Sequence, residues 1–291
     1  MNYPKTKVYF DGSHFIGIPP EKQPWKQRKK VSNVKSEIQA KIKEIYNTCE
    51  ETTNQEKIEK TIQKINKDIK DIKISTTLVK DILEKEKRNR IVRLTRLSRK
   101  IGLQQWTHFC TFTYDSSKFA EEEFRKKFLN CLRHLSHRKG WKYIGVFERS
   151  PELKRLHFHG IFVIKEIIGE LIESKDYSTK THQMQITNQN TYFLERFGRN
   201  DFRTIENNNG VSDAIRYILK YIRKTGEKVI YSKHLQTYFV ADVLKEDVVC
   251  TIGQENRKIL LFDNFKCLDF ETGEVFGTVS KEVIDKMPKA Y

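Results

Sequence analysis

Apolar positions recur along this chain with several rhythms. Between residues 6 and 17 they form two short runs separated by Asp11-Gly12. That pattern predicts a strand, a tight turn and a second strand, ended by Pro19 and Pro20. The spacing then changes to three and four. Val34, Ile38, Ile42, Ile45 and Cys49 make one apolar stripe; Ile58, Ile62, Ile65, Ile69 and Ile72 make a heptad-like second one. Lys and Glu occupy the other faces, so two helices should fold back on each other through the turn at 49–55. A third helix is predicted from about Thr77 to Lys100.

From Gln105 the rhythm shortens. The β-branched and aromatic run Trp106 to Tyr114 predicts a strand, closed by Asp115-Ser116-Ser117. Residues 119–139 predict an amphipathic helix with Phe124, Phe128, Cys131, Leu132 and Leu135 on one face, ended by Gly140. Tyr143 to Glu148 and Leu156 to Ile164 are expected strands, joined by a turn around Pro151. Residues 166–210 carry no clear rhythm and are expected to form a long, less regular connection. A helix should follow from about Ser212 to Lys224, ended by Gly226. Short apolar runs at 229–231, 237–243, 258–262 and 275–279 predict further strands. The expected organisation is an N-terminal hairpin and basic helical region (1–104), a central domain (105–226) and a small strand-rich extension (227–291).

Charge narrows the class of partner. The 291-residue chain carries a formal net charge of +17. That excess favours a polyanion, nucleic acid before an acidic membrane surface, although a lysine-rich composition alone would give the same sign. Arg93, Arg96 and Lys100 share a face of the third helix; they suit phosphate contact and equally a solvated surface. The five cysteines are odd in number and contain no CxxC, which argues against a disulfide framework or a structural zinc site and for a reducing cytoplasm. The N-terminus lacks a signal-peptide pattern, and no run approaches the ~18 apolar residues of a membrane span, so no membrane partner is expected.

Two constellations carry chemistry. In Leu156-His157-Phe158-His159-Gly160 the alternation of a strand sends His157 and His159 to one face together. Two adjacent imidazoles can bind one divalent ion; the pattern also arises by chance on a strand that merely faces water. Glu148, near the end of the preceding strand, would lie opposite His157 if the two strands form a hairpin centred near Glu152. A site of two His and one carboxylate keeps positions open for phosphate oxygens.

The second constellation is Tyr217-Ile218-Leu219-Lys220-Tyr221-Ile222-Arg223-Lys224. On a helix Tyr217 and Tyr221 are neighbours, and Lys220 and Lys224 form a second pair beside them. A phenol with a free pKa near ~10 is a poor nucleophile unless charge nearby stabilises its anion. Attack on DNA would leave a 5′-phosphotyrosine and a free 3′-hydroxyl, keeping the bond energy for rejoining. Two half-buried aromatics on a basic helix would read the same way. Histidine pair, carboxylate, tyrosine pair and strong positive charge rarely occur together by chance.

These residues resemble the HUH endonuclease superfamily. "LHFHGIF" is similar to its His-hydrophobe-His motif, "YILKYIRK" to the two-tyrosine motif of rolling-circle initiators, and "FCTFTYD" to its first motif. Histidines before tyrosines is the replication-initiator order, similar to the replication-associated proteins of small single-stranded DNA phages, including the filamentous-phage gene-II type. The resemblance covers about residues 105–226. It implies an α+β fold, an RRM-like antiparallel palm with helices on one face. It implies Mg²⁺ or Mn²⁺ held by His157, His159 and Glu148, nucleophilic Tyr217 and Tyr221, and phosphate contacts from Lys220 and Lys224, with Arg223 beside them as a DNA contact. The implied partner is single-stranded DNA at a replication origin in a bacterial host, with a host helicase as a candidate and no small-molecule cofactor. Arg199, in Gly198-Arg199-Asn200-Asp201, is a further candidate DNA contact. The competing functions are a non-catalytic single-stranded nucleic-acid-binding protein and an HUH-type transposase.

Overall fold

The structure is a computed structural model that describes residues 2–20, 36–50, 53–68, 75–150, 154–178, 182–205, 228–252 and 258–290. The fold is α+β, and the chain divides into two compact units: Glu21–Leu97, and Met1–Pro20 with Ser98–Tyr291.

The first unit is helical: α1 (Ser36–Thr48), α2 (Asn54–Asp68) and most of α3 (Thr76–Gly102). Its apolar stripes meet as their spacing demands. Ile38, Ile42, Ile65, Val79 and Ile82 form a buried core, with Ile45, Ile58, Ile62, Leu78 and Leu83 against it. Thr53 and Glu56 cap α2 reciprocally: the Thr53 hydroxyl accepts from the Glu56 amide at 3.3 Å, and the Glu56 carboxylate accepts from the Thr53 amide at 3.4 Å. Val34, Ile69 and Ile72 lie outside the described residues.

The second unit opens with β1 (Tyr3–Phe10) and β2 (Phe15–Ile18), the hairpin that Asp11-Gly12 announces. After α3 come β3 (His108–Thr113), α4 (Glu121–Lys139), β4 (Lys142–Arg149), β5 (Leu156–Val163), β6 (Leu171–Ser178), β7 (Gln183–Asn190), α5 (Thr191–Phe197), β8 (Asn200–Thr204) and β9 (Ile230–Tyr231). Five of these strands make an antiparallel central sheet in the order β8-β3-β5-β4-β9. Its alternation puts Cys110, Phe112, Phe147, Leu156, Phe158, Phe162 and Phe202 into one core with Phe124, Phe128, Leu132 and Leu135 of α4 and Phe193 and Phe197 of α5. Each fully buried phenylalanine contributes about 1.5–3 kcal/mol by leaving water. Gly145 and Gly160 face each other across the β4–β5 ladder. A Cβ on Gly145 would strike the Phe158 ring, and one on Gly160 would come within 2.8 Å of the Phe162 ring. The two glycines therefore make the room that the aromatic core occupies.

Residues 166–210 differ from the expected irregular connection. They hold the β6–β7 hairpin, α5 and β8. The hairpin escapes a periodicity reading because polar residues fill both of its faces, and Leu171, Ile172, Tyr177, Met184 and Ile186 are exposed. With seven residues, α5 is too short to show a 3.6-residue stripe.

The C-terminal strands β10 (Tyr238–Val243), β11 (Val248–Thr251), β12 (Ile259–Leu261), β13 (Lys266–Leu268), β14 (Val275–Thr278) and β15 (Lys289–Ala290) build a second sheet. Its order is β11-β12-β2-β1-β10-β13-β14, with β15 also on β10. Grouping the N-terminal hairpin with the helices therefore needs correcting: it sits in the middle of this sheet. The Asp-Gly turn encodes the hairpin but not its distant partners. Val8, Phe239, Ala241, Val243, Ile259 and Leu261 anchor the core beneath. No described helix is long and apolar enough to cross a membrane.

Candidate active site

His157 and His159 are alternate residues of β5 and leave the sheet on the face opposite the phenylalanine core, into which Phe158 is packed. Their ring centroids are 5.7 Å apart with planes 24° from parallel. The ladders fix their neighbours. On β3, Thr113 stands opposite His157 and Thr111 opposite His159; on β4, Glu148 stands opposite His157. Thr113 Oγ1 lies 3.1 Å from Nδ1 of His157, and Thr111 Oγ1 lies 3.0 Å from Nδ1 of His159. Each imidazole is thus held from behind by a hydroxyl, the support expected for an oriented ligand ring.

Glu148 is buried, and its Oε2 lies 3.1 Å from Nε2 of His159. An ionised carboxylate only accepts, so this contact calls for a proton on Nε2, and the Thr111 hydroxyl can serve Nδ1 as donor or acceptor. Burial, reinforced by the neighbouring His159, pushes the His157 imidazole down to about 4, against the opposing pull of Glu148. His157 is therefore neutral at pH 7, the form that can donate a lone pair to a metal. Among the described residues no group of three His, Cys, Asp or Glu side chains is arranged, as it stands, to hold a metal ion. The two imidazoles and Glu148 share one face, but Glu148 is engaged with His159. Ile144, Val146 and Ile161 continue that face and are fully buried.

Arg199 sits at the margin of this group. Its carbonyl accepts from the Thr113 amide at 2.9 Å, which fixes it beside the end of β3. The preceding Gly198 has φ 101°, and a Cβ there would come within 2.8 Å of the Asp115 Cβ. The guanidinium of Arg199 pairs with Asp176 of β6 at 3.0 Å, and the same carboxylate accepts from the Thr187 hydroxyl at 2.6 Å. Asn200 is structural. Buried, it accepts from the Asn190 amide at 2.7 Å and donates to the carbonyls of Asn190 and Gly198. Asn190 in turn caps α5 by accepting from the Phe193 amide.

The remaining candidates scatter. Arg93 and Arg96 are exposed on α3 within the helical unit, whereas Lys100 lies in the larger unit with its ammonium 4.3 Å from the centroid of the Tyr231 ring. His134 and His137 are on the exposed face of α4. Trp106, Trp141 and Tyr143 are buried, and the two indole N–H groups donate to the carbonyls of Ile101 and Glu166, so these rings serve the core. Tyr217, Lys220, Tyr221, Arg223 and Lys224 lie outside the described residues.

Sequence reasoning assigned no role to Thr111, Thr113 or Asp176. The Thr-x-Thr spacing on β3 matches the His-x-His spacing on β5, a signal usable only once the register is known.

No curated protein and no solved structure matches this chain. Residues 107–226, which span the central sheet from β3 to β8, match the family model for the replication-associated protein ORF2/gene-II protein, and this supports a replication-initiator family for that stretch.

Proposed function

We propose that this protein is a replication initiator of the HUH type that nicks and rejoins single-stranded DNA at a replication origin through a 5′-phosphotyrosine. The observation that carries the reading is the pair His157 and His159 on one sheet face, each ring supported at Nδ1 by a threonine and accompanied by Glu148. The match to the replication-associated family supports the same reading. A five-stranded antiparallel sheet with α4 and α5 on one face and the histidines on the other supports an RRM-like palm.

Two imidazoles, one of them held neutral, and one buried carboxylate suit a divalent cation; imidazoles by themselves favour softer ions, and the choice of Mg²⁺ or Mn²⁺ follows from the family likeness. His157, His159 and Glu148 would hold the ion, which when bound supplies Lewis-acid polarisation of a phosphate oxygen. Binding through Nε2 of His159 asks that its proton move to Nδ1. The Thr111 hydroxyl, donor or acceptor in turn, accommodates either tautomer. Arg199, beside Thr113, supplies a guanidinium for the phosphate backbone, and Asp176 holds it in place until DNA arrives. Tyr217 and Tyr221 are the proposed nucleophiles, with Lys220, Arg223 and Lys224 as phosphate contacts. The two tyrosines permit two successive transfers.

The test is covalent capture. The protein is incubated with Mn²⁺ and a random-sequence single-stranded DNA pool labelled at its 3′ ends, then run on a denaturing protein gel. A labelled band at the protein's position that disappears in EDTA is expected. Tight binding of the pool with no adduct under any divalent ion would instead make the chain a non-catalytic binder.

A further inference from the structure

Six side chains in the larger unit lie outside the site described above, in two groups joined through the consecutive residues Arg99 and Lys100 of α3. Lys7 Nζ sits 5.0 Å from the centroid of the Tyr238 ring, the Tyr238 and Tyr9 rings are 5.2 Å apart, and the Arg99 guanidinium lies 4.0 Å from the Tyr9 ring. Lys100, next in sequence, lies over Tyr231. Lys7 and Tyr9 are alternate residues of β1 and share a face, while Thr6 and Val8 are fully buried on the other. Successive residues of a helix point ~100° apart. The last turn of α3 therefore sends Arg99 to the second sheet and Lys100 to β9 at the edge of the central sheet.

Significant cation–aromatic pairs occur about once per 70–80 residues. Here three of them share six side chains. Among the described residues none of these three cations has a carboxylate ion-pair partner. Lys7 and Tyr231 are exposed; the other four are half-buried. Tyr231 stands opposite Ile144 on the β4–β9 ladder, so it lies on the face that carries Glu148 and the histidines. Glu148 is four residues along β4 from Ile144, about 14 Å at ~3.4 Å per residue.

We propose that this row is a track for single-stranded DNA leading onto the histidine face. Bases stack on Tyr9, Tyr238 and Tyr231, and phosphates meet Lys7, Arg99 and Lys100. Alternating rings and cations suit a strand whose bases are unpaired, since every base has a face to stack and every linkage a charge. The choice of DNA rests on the function proposed above; the row itself rests on its own geometry.

The probe is a fluorescein-labelled oligothymidylate of about 16 nucleotides, followed by anisotropy in EDTA so that no cutting intervenes. Lys7→Gln/Arg99→Gln/Lys100→Gln should bind at least about tenfold more weakly at low salt and lower the slope of log K against log salt by about 2, at ~0.7 per lost contact. Tyr231→Leu, at an exposed position, should weaken binding about fivefold or more while leaving that slope unchanged. Circular dichroism checks folding. A second measurement needs no variant: an oligonucleotide carrying 5-iododeoxyuridine, photo-crosslinked to the unaltered protein, should mark peptides containing Tyr9, Tyr231 or Tyr238. Crosslinks found only elsewhere, wild-type affinity in both variants, or equal affinity for duplex of the same length would overturn the track. Binding through the row without a Mn²⁺-dependent adduct would keep the track and defeat the nicking function; an adduct with no crosslink on the row would do the reverse.

Discussion

Glu148 stands across the β4–β5 ladder from His157, yet its carboxylate meets the Nε2 nitrogen of His159, 3.1 Å away. The contact is diagonal, so one acidic group touches the environment of both imidazoles. Thr111 and Thr113 complete the arrangement from β3. Removing those hydroxyls should loosen the rings without removing a ligand. Thr111→Val and Thr113→Val should each lower Mn²⁺ affinity by roughly 10–100-fold, measured by calorimetry. Wild-type affinity in both would show that the hydroxyls do not orient the rings.

The buried His157 ring predicts a pH dependence in metal-free protein. Its folded value, about 4, lies below the ordinary 6.5. Between those values the unfolded chain binds a proton that the folded chain refuses, so stability rises with pH across that window. The contribution is complete above about 6.5 and is lost as pH falls towards 4. Urea midpoints measured from pH 4 to 7 should show this rise, and His157→Asn should flatten it. Proton NMR should find the His157 ring uncharged at pH 5.5; a midpoint near 6.5 would contradict the assignment.

Arg199 is paired with Asp176 beside Thr113 and is not one of the proposed metal ligands, although its charge also acts on His157. Arg199→Ala should therefore weaken binding of single-stranded DNA while Mn²⁺ affinity stays as it was. Unchanged DNA affinity would remove Arg199 from the interface.

Changing Tyr217 or Tyr221 alone to Phe should leave some covalent adduct, and changing both should abolish it. A double variant that still forms the adduct would place the nucleophile elsewhere.

Gly145→Ala puts a methyl group into the Phe158 ring. The expected cost is about 1–3 kcal/mol, the range for overpacked cores, read as a lower urea midpoint. An unchanged midpoint would mean that the ladder can shift to admit a Cβ.

How far these features can be read from sequence depends on whether their signal is local. The alternation in Leu156 to Phe162 places Phe158 and Phe162 in the core and both histidines on the opposite face, and the short turn from Arg149 sets Glu148 against His157. The β6–β7 hairpin left no such trace, because Lys175 and Asp176 put polar groups on both faces of β6, and the apolar Met184 and Ile186 of β7 are exposed. The bond between Thr111 and His159 joins residues 48 apart in sequence. Neither threonine announces it until the two strands are paired in register.

The place of β1 and β2 between β12 and β10 has a consequence for biogenesis. The hairpin is synthesised more than 200 residues ahead of the strands that flank it in the sheet. Until then both of its edges present unpaired backbone groups, the condition that invites association with other chains. Because its partners are so distant in sequence, closure of this sheet belongs among the slow, non-local steps of folding. Strands made early are thus among the last to be secured, and the nascent chain carries their open edges in the meantime.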